Sequence, residues 1–341
     1  MRILVMGGTV FAGRAVVDEA LARGHEVTVF NRGVSGVPAL GDVNALPGVR
    51  AIRGDRLAEG EVERLAGEGE WDVVVDTWTR APGAVRAAAR ALAGVAGRYV
   101  YVSSASVYDH ERMTADRTES ARTLSPAPDE GDDRPEGYGH NKRGGEAAAE
   151  QEFGPERVLL ARCGLMVGPG EVVGRLPYWL RRAAAGGEMV APGPADLDIQ
   201  WLDIRDMAAF LLDAAGAGRS GPYNLVSPVG ALRLGAPLEE CVRVTGSAAT
   251  LRWIDAEVLL AAGVEPWNEL PLWIPEGHPY RFLHGWDVSR ALADGLRIRP
   301  VAETVADTWA WVRELGTEKL VVPGRPEAWL TPERERELLA G

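Results

Sequence analysis

The sequence predicts a doubly wound parallel α/β fold from three observations. The apolar run RILVM (Arg2–Met6) leads into GGTVFAG (Gly7–Gly13) and then RAVVDEALARG, whose apolar positions recur at helical spacing: strand, glycine turn, helix. Short β-branched runs then alternate with alanine-rich helical stretches: HEVTVF (His25–Phe30), VRAIRGD (Val49–Asp55), DVVVDT (Asp72–Thr77), RYVYVSS (Arg98–Ser104) and ERVLLARC (Glu156–Cys163). Runs without polar alternation, separated by helices, describe strands buried on both faces of a parallel sheet. Finally, Gly7, Asn31, Asp55, Thr77 and Ser104 all fall at carboxyl ends of these runs, the edge where such a sheet binds its ligand.

Each element has its own reason. The turn after the first strand aims unpaired backbone N–H groups and the positive end of a helix dipole at one point, which suits a pyrophosphate. After about Gly164 the alternation weakens and Pro, Gly and Trp become frequent, so substrate recognition is expected to begin there. A late strand, PYNLVS (Pro222–Ser227), reads as returning to the sheet, which makes the second lobe discontinuous. The expected division is therefore a dinucleotide-binding (Rossmann) domain over 1–165, with 197–228 and about 283–315 returning to it. A smaller substrate lobe covers 166–196 and 229–282, and 316–341 is a polar, helical surface appendage.

Composition narrows the partners. The chain has 341 residues, 46% hydrophobic, enough for one large core with a smaller lobe. Lys plus Arg total 37 against 49 Asp plus Glu, a formal charge of −12 without a basic cluster, which argues against nucleic acid. Cys163 and Cys241 lie in apolar contexts without metal-ligand spacing and read as reduced core thiols; no metal is expected. The start runs straight into the first strand, and no apolar run is long enough to cross a bilayer, so a cytoplasmic protein without membrane contact is expected. The stretch from Asp109 to Gly137 is long and acidic, with Glu119, Asp129, Glu130, Asp132 and Asp133, and has the length of a lid.

YGHNK (Tyr138–Lys142) places a phenol and an ammonium four residues apart, on one face of a helix. Combined with the glycine turn, the pair implies a bound nicotinamide with a tyrosine acid beside it. The order of these motifs, together with VSSASVY, QWLDIRDMA and WDVSRAL, resembles an extended or atypical short-chain dehydrogenase/reductase of the NAD-dependent epimerase/dehydratase superfamily, from Met1 to about Leu315. Within it, the FNRG segment after strand two is similar to that of actinobacterial-type reductases. The resemblance implies Tyr138 as general acid or base, Lys142 as its partner and Ser104 as the hydroxyl that orients a substrate carbonyl. Ser103 stays open as the alternative hydroxyl, because neighbours on a strand face opposite sides. The cofactor contacts implied are Gly7, Thr9, Val10, Phe11, Gly13, Asn31, Arg32, Asp55, Arg56, Thr77, Trp78, Ser103, Tyr138, Lys142 and Cys163. Asp55 is placed near the adenine amino group, with capping of the following helix as the alternative.

The end of strand two carries Asn31 and Arg32 where an acidic residue would accept the ribose 2′-hydroxyl of NAD; a guanidinium suits a 2′-phosphate, so NADP is expected, with NAD possible. Two departures from the family pattern stand out: Val10 where a third glycine is expected, and Cys163 where proline is frequent. Ala105 and Ser106 follow Ser104 in place of the acidic residues of sugar dehydratases, which disfavours dehydration. The expected activity is an NAD(P)-dependent oxidoreductase that reduces a small-molecule carbonyl or oxidises an alcohol. A nucleotide-sugar epimerase with tightly held NAD is the runner-up, and a non-catalytic nucleotide sensor comes third. The resemblance also suggests a homodimer.

Overall fold

The computed structural model describes residues 1–34, 36, 40–112, 115–130, 137–316 and 329–341. Asp132 and Asp133 of the acidic stretch lie outside the described residues, as do residues 317–328 of the carboxyl-terminal tail.

The chain divides into two compact units. The first comprises Met1–Gly164, Ile204–Val226 and Asp287–Arg297. It is built on a seven-stranded parallel sheet: β1 (Arg2–Met6), β2 (Glu26–Asn31), β3 (Val49–Arg53), β4 (Trp71–Asp76), β5 (Ala96–Ser104), β6 (Val158–Cys163) and β7 (Gly221–Leu225). The spatial order is β7-β6-β5-β4-β1-β2-β3, so the chain reverses direction across the sheet between β1 and β4 and opens a crevice at their carboxyl ends. Val73, Val74 and Val75 are all buried, as a strand covered on both faces requires. Helix α1 (Phe11–Ala22) packs with the helix Ile204–Gly216. Helix α2 (Glu61–Ala66) packs on α3 (Gly83–Leu92), and α3 on α4 (Tyr138–Phe153). Leu4, Met6, Phe30, Val74, Tyr99 and Tyr101 form one core with Val85, Leu92, Ala149 and Phe153 from α3 and α4. Every expected strand forms, and PYNLVS returns to the sheet beside β6 with Tyr223 opposite Ala161.

Close approach of α1 to the first turn depends on Gly13, where an added Cβ would lie 2.8 Å from the Gly8 nitrogen and 3.0 Å from its Cα. Both obstacles are backbone, so neither can swing away.

The second unit comprises Leu165–Asp203, Ser227–Trp286 and Ile298–Gly341. Its helices Arg175–Ala184, Gly235–Thr245 and Val301–Leu315 pack together, and the strand Gly187–Pro192 pairs in parallel with Ala249–Ile254. Two expected boundaries are corrected. The helix Val301–Leu315 groups here instead of with the nucleotide-binding unit, because its buried stripe of Thr304, Val305, Thr308, Trp311, Val312 and Leu315 packs on these helices. The helix Pro332–Ala340 is no mere appendage: the buried Glu335 carboxylate accepts the Val190 N–H at 2.9 Å and pairs with Arg182 Nε at 2.5 Å. That pairing also commits Arg182, which donates to the Gly186 carbonyl as well. Trp179, Trp201, Trp273 and Trp286 are core residues.

Gly13→Ala is expected to lower the stability of the fold by about 1–3 kcal/mol, the usual cost of overpacking against an unyielding wall. Equilibrium chemical denaturation measures it, and an unchanged midpoint would refute the packing role of Gly13.

Candidate active site

The carboxyl edge of the sheet carries a cleft lined by Met6, Gly7, Thr9, Phe30, Asn31, Arg32, Gly33, Val34, Gly54, Asp55, Arg56, Leu57, Thr77, Trp78, Thr79 and Arg80. Eight expected cofactor contacts thus meet in one place: Gly7, Thr9, Asn31, Arg32, Asp55, Arg56, Thr77 and Trp78. Val10, which departs from the glycine pattern, sits in extended backbone at φ −133°, ψ 140°, a conformation that suits a β-branched residue. Its carbonyl accepts the Gly13 N–H at 3.1 Å, so the turn closes without a glycine there. Phe11 begins the helix at φ 31°, a left-handed value for a residue with a side chain, and such strain concentrates at functional turns.

The floor of the cleft is held by a buried ion pair that the sequence reading missed. Arg56 donates to both Asp76 carboxylate oxygens, at 2.7 and 2.8 Å, and to the Ala84 carbonyl at 2.8 Å. Asp76 also accepts the Trp78 N–H at 2.9 Å and the Tyr99 hydroxyl. Burial alone would raise the Asp76 carboxyl, but the Arg56 guanidinium outweighs it and holds the group below the ordinary carboxylate range. Arg56 lies 4.8 Å over the Trp78 ring, and the indole N–H donates to the Ala81 carbonyl at 2.9 Å. Trp78 is therefore fixed through its ring, its indole N–H and its peptide N–H.

Its carbonyl does the remaining task. The Lys142 ammonium, in a side chain 2% exposed, donates to Trp78 O at 2.5 Å and Val102 O at 2.6 Å. It also stands 4.7 Å over the Tyr101 ring, whose hydroxyl donates to the same Trp78 carbonyl at 3.1 Å. Burial pulls the lysine down to about 8, while the charge of Asp76 opposes that shift. The sequence did contain a signal for this site: it has two lysines, Lys142 and Lys319, among 37 Lys plus Arg. A chain that otherwise uses arginine keeps lysine where a compact ammonium with an adjustable pKa is needed.

Helix α4 carries Lys142 and, one turn earlier, the half-exposed Tyr138. Its first turn presses against the Ser104–Val107 turn: a Cβ at Gly139 would lie 2.3 Å from Ser106 O, so glycine is what brings Tyr138 to the turn that carries Ser104. Ser104 ends β5 at the sheet edge, where its hydroxyl accepts the Ser106 N–H at 3.1 Å. The Ser103 side chain turns away from that of Ser104. Its hydroxyl is 3% exposed and donates to Glu146 at 2.7 Å, because neighbours on a strand face opposite sides. Glu146 also takes both forks of Arg162 at 2.9 Å, and Arg162 donates to the Tyr108 hydroxyl and the Glu119 carbonyl. Glu119 accepts the Asn224 N–H, and Asp129 pairs with Arg86, so these two acids of the long stretch hold structure together. Cys163 stands opposite Ser104 in the sheet, its thiol pushed up to about 12 by burial and hence neutral.

The turn and cleft fit a dinucleotide: Gly13 leaves the helix start unobstructed, and the Asn31 amide ties the turn together, donating to Gly7 O and Asn44 Oδ1 and accepting the Gly33 N–H. Among the described residues, no group of three or more His, Cys, Asp or Glu could hold a metal ion, and no helix is long and apolar enough to cross a membrane.

Comparison with known proteins agrees with this architecture. The model of the NAD dependent epimerase/dehydratase family matches residues 3–226, and the chain belongs to that family. It is thereby an enzyme of the nicotinamide-dependent oxidoreductase and epimerase class. A 2'-dehydrokanamycin reductase of Streptomyces kanamyceticus is 34% identical over 197 residues, 56% of this chain and 51% of that protein, so the match spans about half its length. Among solved structures, the Bordetella bronchiseptica enzyme WbmH in complex with NAD+ superposes with a TM-score of 0.68 at 18% identity, covering 93% of this chain and 99% of its own. A UDP-glucuronic acid 4-epimerase of Bacillus cereus in complex with NAD gives 0.65 at 15% identity, over 92% and 97%. At these identities the superpositions speak for the fold.

The buried lysine has a measurable signature. Its folded pKa lies below the unfolded value of 10.5, so the unfolded chain binds the extra proton between about pH 8 and 10.5 and stability rises with pH across that window. In protein labelled with 15N at lysine Nζ, one resonance is expected to titrate near 8 and to vanish in Lys142→Met. Two resonances both titrating above 10 would refute the depression of Lys142 by burial.

Proposed function

We propose that this chain is an NADP(H)-dependent reductase of a small-molecule ketone. The observation that carries the reading is the union, on one sheet edge, of the Ser104, Tyr138 and Lys142 groups with a strand-two end that lacks an acidic ribose ligand. The Asn31 amide N–H groups are both taken, by Gly7 O and Asn44 Oδ1, and its oxygen already accepts the Gly33 N–H, so the residue offers a ribose less than a carboxylate would. Arg32 beside it has a side chain 60% exposed and, among the described residues, a distant ion-pair partner, Asp55 at 3.9 Å. That cation suits a 2′-phosphate.

The residues that would hold the cofactor are Gly7, Thr9 and Gly13 at the pyrophosphate, Arg32 and Asp55 at the adenosine end, and Lys142 at the reactive end. When bound, it supplies the hydride that the carbonyl carbon accepts. The chain supplies the rest. Tyr138 gives its phenolic proton to the carbonyl oxygen as negative charge develops there, and the Ser104 hydroxyl donates a second hydrogen bond to the same oxygen. Lys142, charged at neutral pH, stabilises the phenolate left behind. The product is the alcohol, and the phenol regains its proton from solvent.

The substrate class follows from charge and kinship. The formal charge of −12 favours a cationic small molecule over an anionic one. The curated relative is named a 2'-dehydrokanamycin reductase, and with the acidic charge that makes amine-bearing keto sugars the first substrates to try.

Oxidation of NADPH, followed by its absorbance with a keto amino sugar present, tests the reading. Tyr138→Phe is expected to lower kcat by about 10²–10⁴-fold with the NADPH Kd nearly unchanged. An equal rate in the variant would exclude Tyr138 as proton donor, and NAD that co-purifies and is retained through turnover would favour an epimerase instead.

A further inference from the structure

We infer that Arg53, the last residue of β3, is a second ligand for the 2′-phosphate of the cofactor and sets the preference for NADP(H) together with Arg32. The inference rests on the NADP(H) reading above and extends it to a residue outside the strand-two turn.

The register of the sheet places Arg53 directly opposite Asn31 on the neighbouring strand. The turn Asn31–Arg32–Gly33 folds over it. Gly33 stands at φ 69°, its N–H donating to Asn31 Oδ1 at 2.8 Å. A Cβ built on Gly33 would lie 3.1 Å from Arg53 Cζ and 3.2 Å from its Nη1. The guanidinium therefore occupies the space that a side chain at position 33 would fill, next to a residue that lines the cleft. With glycine there, the Arg53 guanidinium reaches from β3 to the turn at the end of β2 that carries Arg32.

The neighbouring cations differ in how they are used. Arg14 is engaged by Asp18 and the Gly41 carbonyl, Arg56 by Asp76, and Arg64 by Glu61 and the Arg53 carbonyl. Among the described residues, the exposed Arg53 guanidinium makes no hydrogen bond or ion pair. Asp42, an acid that senses its charge, already accepts the Asn44 N–H and side-chain amide, and those bonds chiefly hold its carboxyl down. A phosphate monoester carries nearly two negative charges at neutral pH and three terminal oxygens, enough for two planar forks. A ribose hydroxyl offers neither, so Arg53 together with Arg32, whose ion pair with Asp55 is a distant 3.9 Å, discriminates between the two cofactors.

The test is calorimetric titration of the wild type, Arg32→Ala, Arg53→Ala and Arg53→Lys with NADPH and NADH. Arg53→Ala is expected to weaken NADPH about tenfold to a hundredfold with NADH changed less than about twofold, the loss of one charge-assisted contact to a phosphate. Arg53→Lys is expected to recover part of the NADPH affinity. Equal loss for both cofactors in Arg53→Ala would mark a structural role and overturn the inference. NADPH preference present in the wild type, lost in Arg32→Ala but intact in Arg53→Ala would overturn it while leaving the NADP(H) reading in place. Preference for NADH in the wild type would overturn both.

Discussion

A buried ammonium organises the first unit. Lys142 is removed from water, and a charge in that position persists only if carbonyls and a nearby anion replace its hydration. Trp78 O and Val102 O do so, and Asp76 supplies the opposing charge. Those carbonyls belong to segments that must therefore be held still. Val102 lies within β5, where the sheet fixes it. Trp78 lies beyond β4, in a loop, and the Arg56–Asp76 pair with the Ala81 carbonyl fixes it instead. Removing either ion would leave the other buried and uncompensated, so the pair acts as a unit.

The same logic recurs on the opposite side of the strand. Glu146 lies one turn beyond Lys142 on α4 and is tied to Ser103 and Arg162, so α4 is clamped to β5 and β6 by charge as well as by packing. Alternation along β5 divides the labour: Ser103 turns inward to the clamp and Ser104 ends the strand at the edge. One strand thus contributes both to holding the helix and to the polar edge that the helix serves.

Much of this was legible in the sequence because it depends on local pattern. The apolar runs and glycine turn specify β1 and α1, and the spacing of Tyr138 and Lys142 specifies a shared face. Their roles came from family resemblance. What the sequence did not reveal depends on contacts across long separations. Asp76 closes an apolar run and reads as a strand end; its partner Arg56 and the Tyr99 hydroxyl come from other strands or their ends, and no periodicity links them. That the Ser103 hydroxyl meets Glu146 was not legible, because residue type and position do not show which side of a strand faces the core. The helix Pro332–Ala340 reads as polar surface because the burial of Glu335 is visible only once Val190 and Arg182 stand beside it.

The central claim is that the glycine turn, the Trp78–Lys142 cage and Tyr138 serve one bound nicotinamide dinucleotide. A crystal structure of the chain with NADP+ tests it most directly. The account expects the pyrophosphate over Gly7–Gly13, the adenosine 2′-phosphate at Arg32, and the nicotinamide end beside Lys142 and Tyr138. A dinucleotide bound with its nicotinamide away from Tyr138, or with its pyrophosphate off the glycine turn, would contradict the account.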